Sequence, residues 1–123
     1  MAAQLLVKII CELTGLGEEI EFAGVFTDTT PLTKSLFQYM EQAAIDADEA
    51  IPVGDVATEG VLIIKSITED VMIDLDFDAV AFDADFTIAE GRWAVIPQPA
   101  GKVHFEAVSA TKKATIQYLL IGT

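Results

Sequence analysis

Apolar and polar residues alternate with a period of two along much of the chain, and that alternation predicts β-strands. Residues 71–77 place Val71, Ile73, Leu75 and Phe77 on one face, and Met72, Asp74 and Asp76 on the other. A helix would scatter those aspartates around its surface. Residues 82–88 repeat the pattern, with Phe82, Ala84, Phe86 and Ile88 facing inward, and Asp83, Asp85 and Thr87 outward. Val103, Phe105 and Ala107 do the same against Lys102, His104 and Glu106. The reading places Val71, Ile73, Leu75, Phe77, Phe82, Phe86 and Phe105 in the core and leaves Asp74, Asp76, Asp83 and Asp85 in water.

Other runs are apolar on both faces. Leu5–Leu13 carries Leu5, Val7, Ile9, Cys11 and Leu13 on one side, with Leu6 and Ile10 on the other. Val61–Ile64 and Ile116–Ile121 are similar. Strands buried on both sides read this way, and so do strands at a subunit interface. Leu36–Ala47 fits helical spacing through Leu36, Met40, Ala43 and Ala47, but it also alternates. Its Phe37 and Tyr39 favour a strand.

Turn chemistry separates these runs. Gly15-Leu16-Gly17, Pro52-Val53-Gly54-Asp55, Thr58-Glu59-Gly60, Ala89-Glu90-Gly91, Pro97–Gly101 and Ser109–Lys113 each interrupt an apolar stretch. About eight strands at this spacing predict an all-β, single-domain β-sandwich or jelly-roll-like fold over residues 1–123. A chain of 123 residues suits one domain. With 52% hydrophobic residues it holds more apolar side chain than one small core absorbs, which implies burial against a partner.

Charge narrows the partners. Twenty acids against seven bases give a net charge of −13. Such a chain repels nucleic acid and anionic membranes, so neither is an expected partner. The charges are also segregated: residues 66–91 carry eight acids and no base, whereas four bases and one acid, Glu106, follow from Arg92 onward. Either copies attract one another head to tail, or the acidic middle simply stays in water. The single Cys11 excludes an intrachain disulfide and fits maturation in a reducing cytoplasm. Met1-Ala2-Ala3-Gln4 lacks the basic start of a signal peptide, and no apolar run approaches a membrane span.

Candidate chemistry is sparse. His104 stands between Lys102 and Glu106 on a polar strand face; it reads as an exposed histidine rather than a base oriented by Glu106. Cys11 sits in an apolar run and reads as a buried, inert thiol. One Cys and one His cannot make a tetrahedral zinc site, and no glycine-rich segment leads into a helix to cradle phosphate. No catalytic set is expected. Asp74-Leu75-Asp76-Phe77-Asp78 opens like a calcium loop, but Ala79 replaces the turn glycine and Asp85 the bidentate glutamate, which rejects an EF-hand. A Ca²⁺ site between strands, built from Asp74, Asp76, Asp83 and Asp85, is the one cofactor candidate; a solvated acidic face is the plainer reading. Trp93, Tyr39 and Tyr118 are the rings available for stacking on a carbohydrate, with core packing as the plainer reading of Trp93.

The layout of residues 50–122 carries a resemblance. It runs from Ile51-Pro52-Val53-Gly54-Asp55 through Thr58–Ser66 and the Val71–Phe77 strand. Ala89-Glu90-Gly91-Arg92-Trp93-Ala94-Val95-Ile96-Pro97, Lys102–Val108 and Ile116–Ile121 then close it. This resembles small virion structural proteins of tailed bacteriophages. The resemblance implies a capsid decoration (cement) protein with a jelly-roll or sandwich fold, forming trimers or rings and bringing no catalytic residues. It implies as partners a homotrimer of the chain itself and the major capsid protein, and a place on the capsid surface of a virion made in a bacterial cytoplasm. A tail or head–tail junction component, or a carbohydrate-binding sandwich, is the alternative. The doubly apolar strands nominate Leu6, Ile10, Leu119 and Ile121 as interface residues.

Overall fold

The computed structural model describes residues 3–13, 20–97, 99 and 102–123, with side chains from Thr33 onward. The fold is all-β. Residues 1–33 and residues 34–123 form two compact units. The first is an antiparallel hairpin of β1 (Ala3–Leu13) and β2 (Ile20–Leu32), with Val7 opposite Phe26 and Ile10 opposite Ala23. The side chains of Leu6 and Ile10 lie outside the described residues.

The second unit holds the remaining eight strands in two four-stranded antiparallel sheets. These are β3 (Lys34–Glu41), β4 (Glu49–Ala50), β5 (Glu59–Thr68), β6 (Val71–Asp74), β7 (Phe86–Ile88), β8 (Trp93–Pro97), β9 (His104–Ala107) and β10 (Thr115–Gly122). One sheet runs β3-β10-β5-β8 and the other β4-β9-β6-β7. The sequence reading spread one sandwich over residues 1–123; both four-stranded sheets lie within residues 34–123.

Alternation builds the core as expected. Along β10, Ile116, Tyr118 and Leu120 are buried while Gln117, Leu119 and Ile121 are half-buried. The inward faces of both sheets meet in one cluster that joins Leu62, Ile64, Ile116 and Leu120 to Val71, Ile73, Ile88 and Phe105. Burying each such side chain contributes about 1.5–3 kcal/mol. The Leu36–Ala47 ambiguity resolves to strand as far as Glu41, after which the chain turns. At the far end of the second unit, a Cβ on Gly122 would lie 2.0 Å from the carbonyl oxygen of Thr58. Glycine is required there because backbone meets backbone: Thr123 N–H donates to Thr58 O at 2.9 Å, and Ala57 N–H to Thr123 O at 2.8 Å.

Two predicted strands are shorter than the alternation implied. β6 ends at Asp74 and β7 begins at Phe86, so residues 75–85 form a loop that carries only an isolated bridge from Asp76 to Lys102. Aspartate side chains cause this by offering the backbone a rival to the ladder. Asp85 Oδ2 accepts the Leu75 N–H at 2.8 Å, and Asp78 Oδ1 accepts the Val80 N–H at 2.9 Å. Val71, Ile73 and Phe105 are buried as predicted, whereas Leu75, Phe77, Phe82 and Phe86 are only half-buried. Phe77 leaves the core line and stacks on His104, with ring centroids 3.7 Å apart and planes 22° from parallel.

Candidate functional site

The outward face of the β3-β10-β5-β8 sheet is the most distinctive surface of the second unit. The register aligns Phe37, Leu119, Ile63 and Val95 in one cross-strand row. The next row is Tyr39, Gln117, Lys65 and Trp93. On the other side of the apolar row lie Ser35, Ile121, Val61 and Pro97. Phe37 and Tyr39 are each 64% exposed and Trp93 is 58% exposed. The plainer reading of Trp93 as a core residue is thereby corrected. Ala94 and Ile96 take the inward positions of β8, so a period of two turns Trp93 and Val95 to the outside. Tyr118 is corrected in the opposite sense: it is buried, its hydroxyl donates to Pro52 O at 2.9 Å, and Gln38 Nε2 donates to that hydroxyl. Burial raises its pKa, against the opposing pull of Gln38.

Between the edge strands the face forms an open groove of about 220 Å³. Phe37 and Trp93 stand at its sides, and Ile63, Leu119, Gln117 and Lys65 complete the lining. Of the nominated interface residues, Leu119 lies in this groove and Ile121 in the row beside it, both half-buried. The three rows contain no acid, and Lys65 is their one charge. Among the described residues no carboxylate lies within ion-pair distance of Lys65.

The other sheet presents opposite chemistry. Its β9 turns Phe105 and Ala107 inward and leaves His104 and Glu106 half-buried. Burial raises the pKa of Glu106, and the negative charges of Asp46 and Asp48 raise it further. No hydrogen bond joins His104 to Glu106, two residues along the same strand. Its Nδ1 instead meets Asp48 Oδ2 at 2.7 Å. Of the hydroxyls, buried Ser66 donates to Glu69 O, and Ser109 bonds Thr111. Neither hydroxyl's hydrogen-bond partner is the His104–Asp48 pair.

The acidic residues nominated for Ca²⁺ are partly brought together. Asp74, Asp76 and Asp85 place one carboxylate oxygen each within 4.8 Å of the others; Asp83 is not in that group. Asp74 was expected in water but is 1% exposed. Its Oδ2 accepts the Asp83 N–H at 2.9 Å and its Oδ1 the Asp76 N–H at 3.1 Å, so the carboxylate acts as the internal clasp of the loop. The Asp83 N–H holds the Asp74 pKa below its usual range, against burial, with help from Asp76 and the nearby His104. Asp76 is displaced upward by its hydrogen bond to Asp74 and by the charge of Asp85. The Asp74 and Asp85 carboxylates already have backbone donors, so loop closure accounts for their place in the cluster.

Comparison with protein-family models, curated proteins and solved structures finds no match to this chain. Sequence reasoning missed the groove because it assigned Trp93 inward and did not pair β3 with β10. The available signal was the shared phase of Phe37, Tyr39, Leu119 and Trp93 once that register is known.

Proposed function

We propose that this chain is a non-enzymatic structural module that assembles by seating the aromatic, acid-free rows of the outward face of the β3-β10-β5-β8 sheet on a protein surface. One observation carries the reading: three large aromatic side chains stand exposed in adjoining cross-strand rows that contain no carboxylate, in a protein of net charge −13. Elsewhere, like charges keep copies soluble and apart. Within these rows there is no carboxylate to repel a partner or to be desolvated, and burial of apolar surface drives association. The acidic exterior of the opposite sheet gives the module a wet side and a docking side. The resemblance to tailed-phage virion proteins supplies the finer form of the proposal: a capsid decoration protein, self-associating and bound to the major capsid protein. The test is light scattering of the parent and of Phe37→Ser/Trp93→Ser, with shells added in a second arm. The reading expects association in the parent and its loss in the variant, with the melting transition retained. Equal association of both proteins would refute it.

A second reading draws on Tyr39 and Trp93, which share a row on opposite edges with Gln117 and Lys65 between them. Three strand spacings separate their backbones by about 14 Å. Rings so spaced, with polar groups between, suit an extended saccharide. The apolar floor of Ile63 and Leu119 favours a protein partner instead. Quenching or shift of the Trp93 emission by an oligosaccharide panel would reverse that order.

A further inference from the structure

We propose that the groove between Phe37 and Trp93 receives the tip of the 75–85 loop from a second copy of this chain, pairing copies head to tail. The inference rests on the assembly reading above and names the occupant of the same face.

The loop tip is built as an apolar point between acids. Val80 is 87% exposed, the most exposed large apolar side chain among the described residues. Asp78 and Asp83 flank it, and both are exposed. The tip is held by the Asp78 carboxylate, which accepts the N–H groups of Val80 at 2.9 Å and Ala81 at 3.3 Å. Ala79 has a φ of 68°, in the left-handed region that an alanine enters only at a cost. The chain therefore maintains a costly turn that pushes an isopropyl group into water, and burial of that group would offset the cost.

The groove is the complement. Its floor of Ile63 and Leu119 and its aromatic walls offer apolar contact to Val80. Lys65 offers an ammonium without a carboxylate partner among the described residues. Seating the tip in the groove brings Asp83 or Asp78 toward Lys65, which exchanges two solvated charges for one pair beside Trp93. Tip and groove are different surfaces of one chain. The contact is thus heterologous, and it closes into a ring or continues into an array rather than stopping at a two-fold dimer. That geometry suits the head-to-tail charge segregation of residues 66–91 against Arg92 onward.

The test is sedimentation velocity over a range of concentrations on the parent, Val80→Asp and Lys65→Glu, with circular dichroism to check folding. All three proteins should fold, because both positions are exposed. Each variant should associate at least ~10-fold more weakly than the parent, the loss expected for one central contact at ~1.4 kcal/mol per decade. The decisive arm mixes the variants. Val80→Asp keeps a working groove and Lys65→Glu a working tip, so the mixture forms a 1:1 dimer that cannot extend. The double variant Lys65→Glu/Asp83→Lys should regain assembly. A parent that stays monomeric at every concentration overturns the inference. So does a parent that assembles while Val80→Asp and Lys65→Glu assemble equally well. In that last case Trp93→Ser separates the claims: sensitivity to it retains the sheet face as the docking side and rejects the loop as occupant, and insensitivity rejects both.

Discussion

Replacing Gln42 with leucine removes a buried polar hub and should be among the most damaging single changes in the second unit. Gln42 is 1% exposed, just past the end of β3. Its Oε1 accepts the N–H groups of Ala107 and Ala114, each at 3.2 Å, and its Nε2 donates to Ala47 O at 2.6 Å. One side chain thus ties the 42–48 turn to the end of β9 and the approach to β10. Gln42→Leu preserves volume but orphans two N–H groups and a carbonyl. Ala107 and Ala114 are themselves buried, so water does not replace the lost acceptor. Each buried orphan costs about 1–3 kcal/mol. Leucine recovers about 1.5–3 kcal/mol of apolar burial and removes the desolvation of the amide. The net destabilisation is about 2–4 kcal/mol, or a melting shift of about 10–25 °C for a unit of this size. Urea unfolding should show a lower midpoint with an unchanged slope. A variant within about 0.5 kcal/mol of the parent would refute the reasoning that these three bonds are irreplaceable.

Much of the fold was legible because period two reads directly as strand. Val71, Ile73 and Phe105 fell in the core for that reason, and Phe37 and Tyr39 tipped β3 toward strand. The alternation misled at 75–85. Aspartate at every second position mimics a half-solvated strand, yet the Asp74, Asp78 and Asp85 carboxylates bind backbone N–H groups and fold the segment into a loop. The candidate face was legible only in fragments. Leu119 and Ile121 were nominated from an apolar excess, but joining them to Trp93 requires the β3-β10-β5-β8 strand order, which sequence periodicity does not contain. His104 meets Asp48 from a distant turn, a pairing that adjacency along β9 conceals.

Two further expectations follow from the loop and the strand ends. Asp74→Asn should destabilise by about 1–2 kcal/mol at neutral pH, because two backbone hydrogen bonds lose their charged acceptor. The depressed Asp74 pKa means that its stabilisation is complete above the unfolded-state value and fades as pH falls through the folded one. The gap between variant and parent in thermal melts should therefore begin to narrow only below about pH 4 and close at lower pH, and a gap that does not change as pH falls through that range would refute it. Asp76, with its raised pKa, acts in the opposite sense, so Asp76→Asn should leave stability unchanged or higher at neutral pH. Gly122→Ala drives a methyl group into the Thr58 carbonyl and should separate the chain end from residues 57–58, seen as faster amide exchange at Ala57, Thr58 and Thr123. Unchanged exchange would show that the approach relaxes freely.

The most direct measurement uses the chain's single tryptophan, since Trp93 stands on the proposed docking face. Its emission and iodide quenching, followed as the protein is concentrated, report whether that face is covered. Trp93 should be red-shifted and readily quenched in dilute solution, passing to a blue-shifted, protected state as the sedimenting mass rises. A mass that rises while Trp93 stays open to iodide would place the assembly contact elsewhere and contradict the account.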